Sequence, residues 1–237
     1  MKVLRLGRVK EAFFVKRLNR FVVEAELADG SRIQCLNTNT GRLHDILTPG
    51  AKLLCSPKTG GRTSHRLLAA SFDKGVSIVD TWSQMKVFEH LVENSVLAWL
   101  GECTISKKAP RVESSVLDYL LECDGEQVFV EVKSAVLRHE RRYAGYPDCP
   151  TDRGVRHLKL LSAITQEGGR ALLVFIAALP GASAFKPYVR GDPRIAEALE
   201  HAVSKGVEVR AVGLEGVVEG GFLWAVLYSA NLPVVLP

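Results

Sequence analysis

Near Asp80 the hydrophobic pattern of this 237-residue chain changes period. Before that point apolar residues come in short runs, FFVKR, FVVEAEL, SRIQCL, AKLLCS, RLLAASF and GVSIVD, separated by turn pairs such as Pro49-Gly50 and Gly60-Gly61. After it, Val87, Phe88, Leu91, Val92, Ser95, Val96 and Trp99 repeat at helical spacing as far as Gly101. Alternating strands and an amphipathic helix bury different faces, so two units are expected, an all-β unit over 1–83 and an α/β unit over 84–237. Strands this short and closely spaced predict a small barrel or sandwich for the first unit. Its first hairpin takes a register from pairing apolar with apolar residues. A two-residue loop at Asp29-Gly30 would set Ile33 and Cys35 against Glu26 and Glu24. A three-residue loop from Asp29 to Ser31 sets Leu27 against Ile33 and Ala25 against Cys35, and is the expected one.

In the second unit two strands are expected from about Ser115 to Cys123 and Gln127 to Ser134, around the hairpin pair Asp124-Gly125. A helix over Arg153 to Glu167 stops at Gly168-Gly169 and leads into ALLVFIAAL, whose unbroken apolar character suits a strand covered on both faces. Asp192-Pro193 reads as the N-cap and first residue of a third helix that ends at Gly206. A strand over Val207 to Val212 and a Gly-interrupted pair over Gly216 to Tyr228 complete an α/β unit with a mixed sheet.

Composition removes several classes. The longest uncharged apolar run, Ala171 to Leu179, is too short to span a bilayer as a helix. Charges interrupt MKVLRLGRVK too often for a signal-peptide core, so a cytoplasmic protein is expected. The five cysteines are scattered, with no Cys-x-x-Cys pair, which argues against a zinc site and leaves any disulfide pairing open. The net charge of +5 divides unevenly, with 14 Lys and Arg against 7 Asp and Glu in residues 1–85. Such a basic half favours polyanionic partners through the phosphate backbone, and a solvated strand surface is the plainer explanation.

VLDYLLECDGEQVFVEVKS places charged side chains inside strands, where they are costly unless used or paired. A two-residue loop at Asp124-Gly125 sets Cys123 opposite Glu126 and therefore Asp118 opposite Glu131. The same register sets Tyr119 on Val130 and Leu121 on Val128. Two facing carboxylates repel unless a cation lies between them, and Mg²⁺ is commonly held by one or two carboxylates. Lys133 lies two residues beyond Glu131 on the same face, where an ammonium can orient a water for attack on a phosphodiester. The competing explanation is a cross-strand salt bridge in which Lys133 neutralises both acids. On the helix that follows, Arg153 and His157 lie one turn apart and can face one phosphate, with Arg156 beside them.

These residues resemble the PD-(D/E)XK nuclease core. Over nearly its whole length the chain further resembles the sugar fermentation stimulation protein A family. The matching elements are VKRLNRF with Arg17 and Arg20, Asn39-Thr40-Gly41-Arg42, Pro49-Gly50, Asp118, Glu131 to Ser134, Tyr146 to Asp148, Thr151 to Leu158, Asp192-Pro193 and Gly206 to Val209. The resemblance implies an OB-fold-like small β-barrel followed by a PD-(D/E)XK nuclease-like α/β domain with a mixed central sheet, and DNA, single- or double-stranded, as partner. It implies Mg²⁺ (or Mn²⁺) as cofactor, Asp118 and Glu131 as metal ligands, and Asp118, Glu131 and Lys133 as the catalytic set. Arg17, Arg20, Arg42, Arg153, Arg156 and His157 are the nucleic-acid-binding candidates, and Phe13, Phe14 and Phe21 are candidate stackers or barrel core. Val116, Leu36 and Val136 stand where the family carries Arg, His and Thr. A DNA-binding transcriptional regulator with a vestigial site is the alternative. Nothing in the sequence reads as a sugar site.

Overall fold

The computed structural model describes residues 1–236. Six strands precede the first helix and follow β1 (Lys2–Arg8): β2 (Lys10–Asn19), β3 (Val22–Leu27), β4 (Arg32–Leu36), β5 (Lys52–Pro57), β6 (His65–Phe72) and β7 (Gly75–Ile78). Hydrogen bonds run β4-β3-β2-β5-β6, and a parallel β4–β6 pairing closes the ring. This is the five-stranded OB barrel expected for the first unit. Alternate residues such as Ala12, Phe14, Val23, Ala25, Ile33, Leu53 and Leu67 fill it.

The β3–β4 register differs from the sequence expectation. Ala25 pairs with Ile33 and Val23 with Cys35, which leaves Ala28, Asp29 and Gly30 in the loop. The loop has three residues but begins one residue earlier. Both registers keep the same side chains inside, because they differ by two, and apolar pairing alone could not separate them. The turn itself decides: Gly30 (φ 80°) donates to the Leu27 carbonyl, and Asp29 Oδ1 accepts from the Ser31 N–H at 2.9 Å.

The second, α/β domain contains α1 (Thr81–Glu93), β8 (Cys103–Lys108), β9 (Tyr119–Cys123), β10 (Glu126–Ser134), α2 (Asp152–Gln166), β11 (Arg170–Ala177), α3 (Pro193–Ser204), β12 (Glu208–Glu219) and β13 (Phe222–Ser229). Its sheet runs β8-β9-β10-β11-β12, with β10, β11 and β12 parallel and the outer pairs antiparallel, so the sheet is mixed as expected. The fully apolar β11 lies at its centre, buried on both faces. Two short sheets lie apart, one joining 111–112 to 115–116 and one joining 137–139, 143–145 and 184–185.

Three boundaries move. α1 stops at Glu93, short of Gly101, because Ser95 adopts φ 51° and the Asn94 amide caps the His90 carbonyl at 2.8 Å. Leu97 and Leu100 remain buried without the helix. The first strand of the Asp124-Gly125 hairpin starts at Tyr119, since Ser115 and Val116 pair with Val112 and Arg111. Glu208–Val212 and the segment beyond form one strand, β12, which turns at Gly220-Gly221 into β13. The edge strand β8 was not expected, because CTISKK carries one large apolar residue. A disulfide joins its Cys103 to the directly paired Cys123 of β9.

The sheet continues from domain to domain. β7 meets β12 at Val76↔Gly216, and β1 pairs antiparallel with β13. No helix among the described residues is long and apolar enough to cross a membrane.

Candidate active site

The hairpin of β9 and β10 sets the site. Asp124 (φ 51°) and Gly125 (φ 84°) form the two-residue turn, and the pairing Cys123↔Glu126 through Tyr119↔Val130 follows from it. Asp118 sits just ahead of β9. Its N–H donates to the Val130 carbonyl at 3.2 Å, and its Oδ2 accepts from the Val132 N–H at 2.8 Å. Glu131 and Lys133, alternate residues of β10, share the face that Asp118 enters. All three line one cleft of about 530 Å³ between the barrel and the mixed sheet of the second domain.

Glu131 is the best-held carboxylate of the group and is 1% exposed. Its Oε1 receives Lys133 Nζ and lies 2.5 Å from His157 Nδ1. His157, buried on α2, has Arg153 Nε 3.4 Å from its other ring nitrogen. One proton on Nδ1 satisfies both contacts, with Nδ1–H donating to Glu131 and Nε2 accepting from Arg153. Burial works to raise the Glu131 carboxyl, but the His157 hydrogen bond and the Lys133 charge outweigh it and hold its pKa below the usual range. Burial, and then the charge of Glu131, push Asp118 the other way, to about 6. Glu131 Oε2 is buried with no hydrogen-bond partner.

That orphan oxygen bears on the metal. Among the described residues no group of three or more His, Cys, Asp or Glu is gathered for an ion. Two carboxylates with an open buried lone pair do suit Mg²⁺, which keeps waters and substrate oxygens for the rest of its coordination. The donors are all oxygen, so the set suits a hard cation and not zinc.

The other walls come from loops. Asn39, from the segment after β4, is buried and donates from Nδ2 to Ser134 Oγ at 3.2 Å, tying the barrel to the end of β10. Asp148 accepts from the Leu43 N–H at 2.9 Å, and a Cβ at Gly41 would come within 2.7 Å of its carboxylate oxygens. Thr151 caps α2 through the Gly154 N–H, and both residues line the cleft, so the positive end of that helix faces it.

The nucleic-acid candidates divide by environment. Arg153 is exposed and lines the cleft. His157 lies behind Glu131, and Arg156 is exposed on α2 outside the cleft lining. Arg17 donates to the carbonyls of Gly41 (2.5 Å), Arg42 (2.9 Å), Arg20 (2.9 Å), Asn19 (3.2 Å) and Asn39 (3.4 Å), so its guanidinium organises the loop. Arg20 and Arg42 are exposed, with Arg20 lying 4.8 Å from the centre of the Phe21 ring. Phe14 belongs to the barrel core, while Phe13 and Phe21 are exposed and stand outside the cleft lining.

Sequence reasoning gave no role to Asn39, Asp148, Ser134 or Trp82. The first three lie in the motifs that carry the family resemblance. Trp82 could have been found from its position, one residue past the α1 start and off the apolar stripe that begins at Val87.

A family model described as the SfsA N-terminal OB domain matches residues 15–79, and one described as the sugar fermentation stimulation protein RE domain matches 83–219. A Pyrococcus furiosus sugar fermentation stimulation protein homolog is 46% identical over 94% of this chain and 96% of its own. The Archaeoglobus fulgidus homolog is 39% identical over 91% and 92%. The solved structure of Pyrococcus furiosus SfsA in complex with Ca²⁺ superimposes with a TM-score of 0.94 at 43% identity, covering both chains completely. With both halves matched in order, the chain belongs to the sugar fermentation stimulation protein family.

Proposed function

We propose that this chain binds DNA and hydrolyses its phosphodiester bonds with Mg²⁺ or Mn²⁺, in the cytoplasm and with no sugar ligand. The observation that carries the reading is the meeting of Asp118, Glu131 and Lys133 in one cleft, with a partnerless buried oxygen on Glu131. Asp118 and Glu131 would hold the ion, which when bound lowers the pKa of a water and stabilises charge gathering on the phosphate. His157, itself in contact with Arg153, fixes the Glu131 carboxylate and together with Lys133 keeps it ionised. Lys133, anchored on the same oxygen, orients the attacking water. The exposed Arg153 and the N-terminal end of α2 attract the phosphate. Arg20 and Arg42 extend the basic surface along the barrel. The Ca²⁺ complex of the Pyrococcus furiosus relative supports a divalent ion for this chain also.

One observation favours a second reading. Lys133 and His157 both engage Glu131 Oε1, as a structural salt bridge would require, and a non-catalytic DNA-binding regulator needs nothing more. Incubation with single- and double-stranded DNA in Mg²⁺ or Mn²⁺ separates the two. Hydrolysis predicts cleavage that falls about 10²- to 10⁴-fold in Lys133→Ala while binding persists. Binding without cleavage in every condition would leave the regulator.

A further inference from the structure

One wall of the cleft has no part in metal or phosphate chemistry. Trp82, the second residue of α1, lines the cleft and is 53% exposed, although it is the largest side chain there. It lies off the buried stripe of its helix, so the domain core does not need it. Its position is nonetheless fixed. The Arg66 guanidinium lies 5.5 Å from the ring centre, and Arg66 Nε lies 3.7 Å from Asp80 Oδ2. Asp80 is fully buried, caps α1 through the Ser83 N–H at 2.9 Å, and accepts from Thr38 Oγ1 of the barrel at 2.8 Å. The ring is thus held from the seam between the domains, in the wall of the cleft that contains Glu131 and Lys133.

We infer that Trp82 is a stacking platform for an unpaired nucleobase, so that the cleft takes single-stranded DNA beside the reacting phosphate. This rests on the DNA-hydrolysis reading and names its substrate class. Within a duplex each base has both faces covered by its neighbours and presents only its edge, so an aromatic ring can stack on it only once it is unstacked. The cleft, about 530 Å³, falls in the size class of small-molecule pockets, about 300–1,000 Å³, which is room for a single unstacked nucleotide beside the ring. Base–aromatic stacking also tolerates any sequence, because every base has a π face.

The test measures affinity of the full chain for a fluorescein-labelled single strand and for a blunt two-strand duplex of the same length, in EDTA at fixed salt. Trp82→Ala is expected to weaken single-strand binding by about 5- to 150-fold, with duplex binding within about two-fold of wild type. Trp82→Phe should recover most of the loss. Intrinsic fluorescence supplies a second readout, since the other two tryptophans, Trp99 and Trp224, are partly buried away from the cleft lining. Quenching by the single strand in wild type should be absent in Trp82→Phe. Equal single-strand affinity of Trp82→Ala and wild type, or an equal loss on strand and duplex, would overturn the stacking role while leaving hydrolysis standing. No binding of either DNA by wild type would overturn both.

Discussion

Arg17 and Arg42 lie beside the same loop and do different work. Arg17 reaches five main-chain carbonyls and holds the Asn39–Arg42 segment against the cleft, while Arg42 is exposed. Arg17→Ala is therefore expected to cost roughly 2–3 kcal/mol in urea unfolding, because a charged donor to several carbonyls is lost. Arg42→Ala and Arg20→Ala should stay within about 0.5 kcal/mol of wild type and instead lower the salt dependence of DNA binding by about one unit each. Loss of stability in both exposed variants, with DNA binding unchanged, would reverse this assignment. The sequence showed that these positions were basic, but a guanidinium bonded to carbonyls and one facing solvent have the same composition. Asp118, Glu131 and Lys133 were legible because an Asp-Gly turn fixes pairing parity, and parity fixes which side chains share a face.

At the scale of elements, caps and turns carried most of the information available from sequence. Asp192-Pro193 starts α3 as expected, with the carboxylate accepting from the Arg194 N–H and side chain. It also accepts from the Thr151 N–H at 2.9 Å, and so joins the starts of α2 and α3. The Arg194 hydrogen bonds depress its pKa to about 2. A carboxyl whose folded value lies below its unfolded value of about 3.9 stabilises fully above that value, and the contribution fades as pH falls through about 2. Asp192→Asn should therefore be less stable than wild type at pH 7, and the two should converge between about pH 4 and pH 2 in denaturant titrations. A difference that does not change with pH would remove the charge from the account. β8 was illegible for a different reason. Its stability comes from its pairing with β9 and the Cys103–Cys123 bond, and its own sequence is polar. Reduction, or Cys103→Ser with Cys123→Ser, should cost about 3 kcal/mol for a loop of this length, read as a lower Tm in calorimetry. An unchanged Tm would mean that β8 contributes little to the domain.

Across the whole molecule, the barrel and the mixed sheet of the second domain share a second, smaller core. Leu54 and Leu68 of the barrel pack with Leu223 of β13, and Leu6 of β1 and Val76 of β7 cover them. No local pattern shows this, because β1 and β13 pair across nearly the full length of the chain. The arrangement predicts one cooperative thermal transition for both domains. Leu6→Ala, at a half-buried position, should lower it as a whole, by about 1–3 kcal/mol. Two separate transitions, only one of them moved, would show that the shared core does not couple the halves. The same seam holds Asn39 on Ser134 and Asp80 on Thr38, so it also sets the width of the cleft.

The most direct test of the proposed centre is a crystal soaked in saturating Mn²⁺ and measured at the manganese edge. The expected result is an anomalous peak within about 2 Å of Glu131 Oε2 and of the Asp118 carboxylate, lost in Asp118→Asn. A saturated crystal with no peak there, or with manganese only elsewhere, would contradict it.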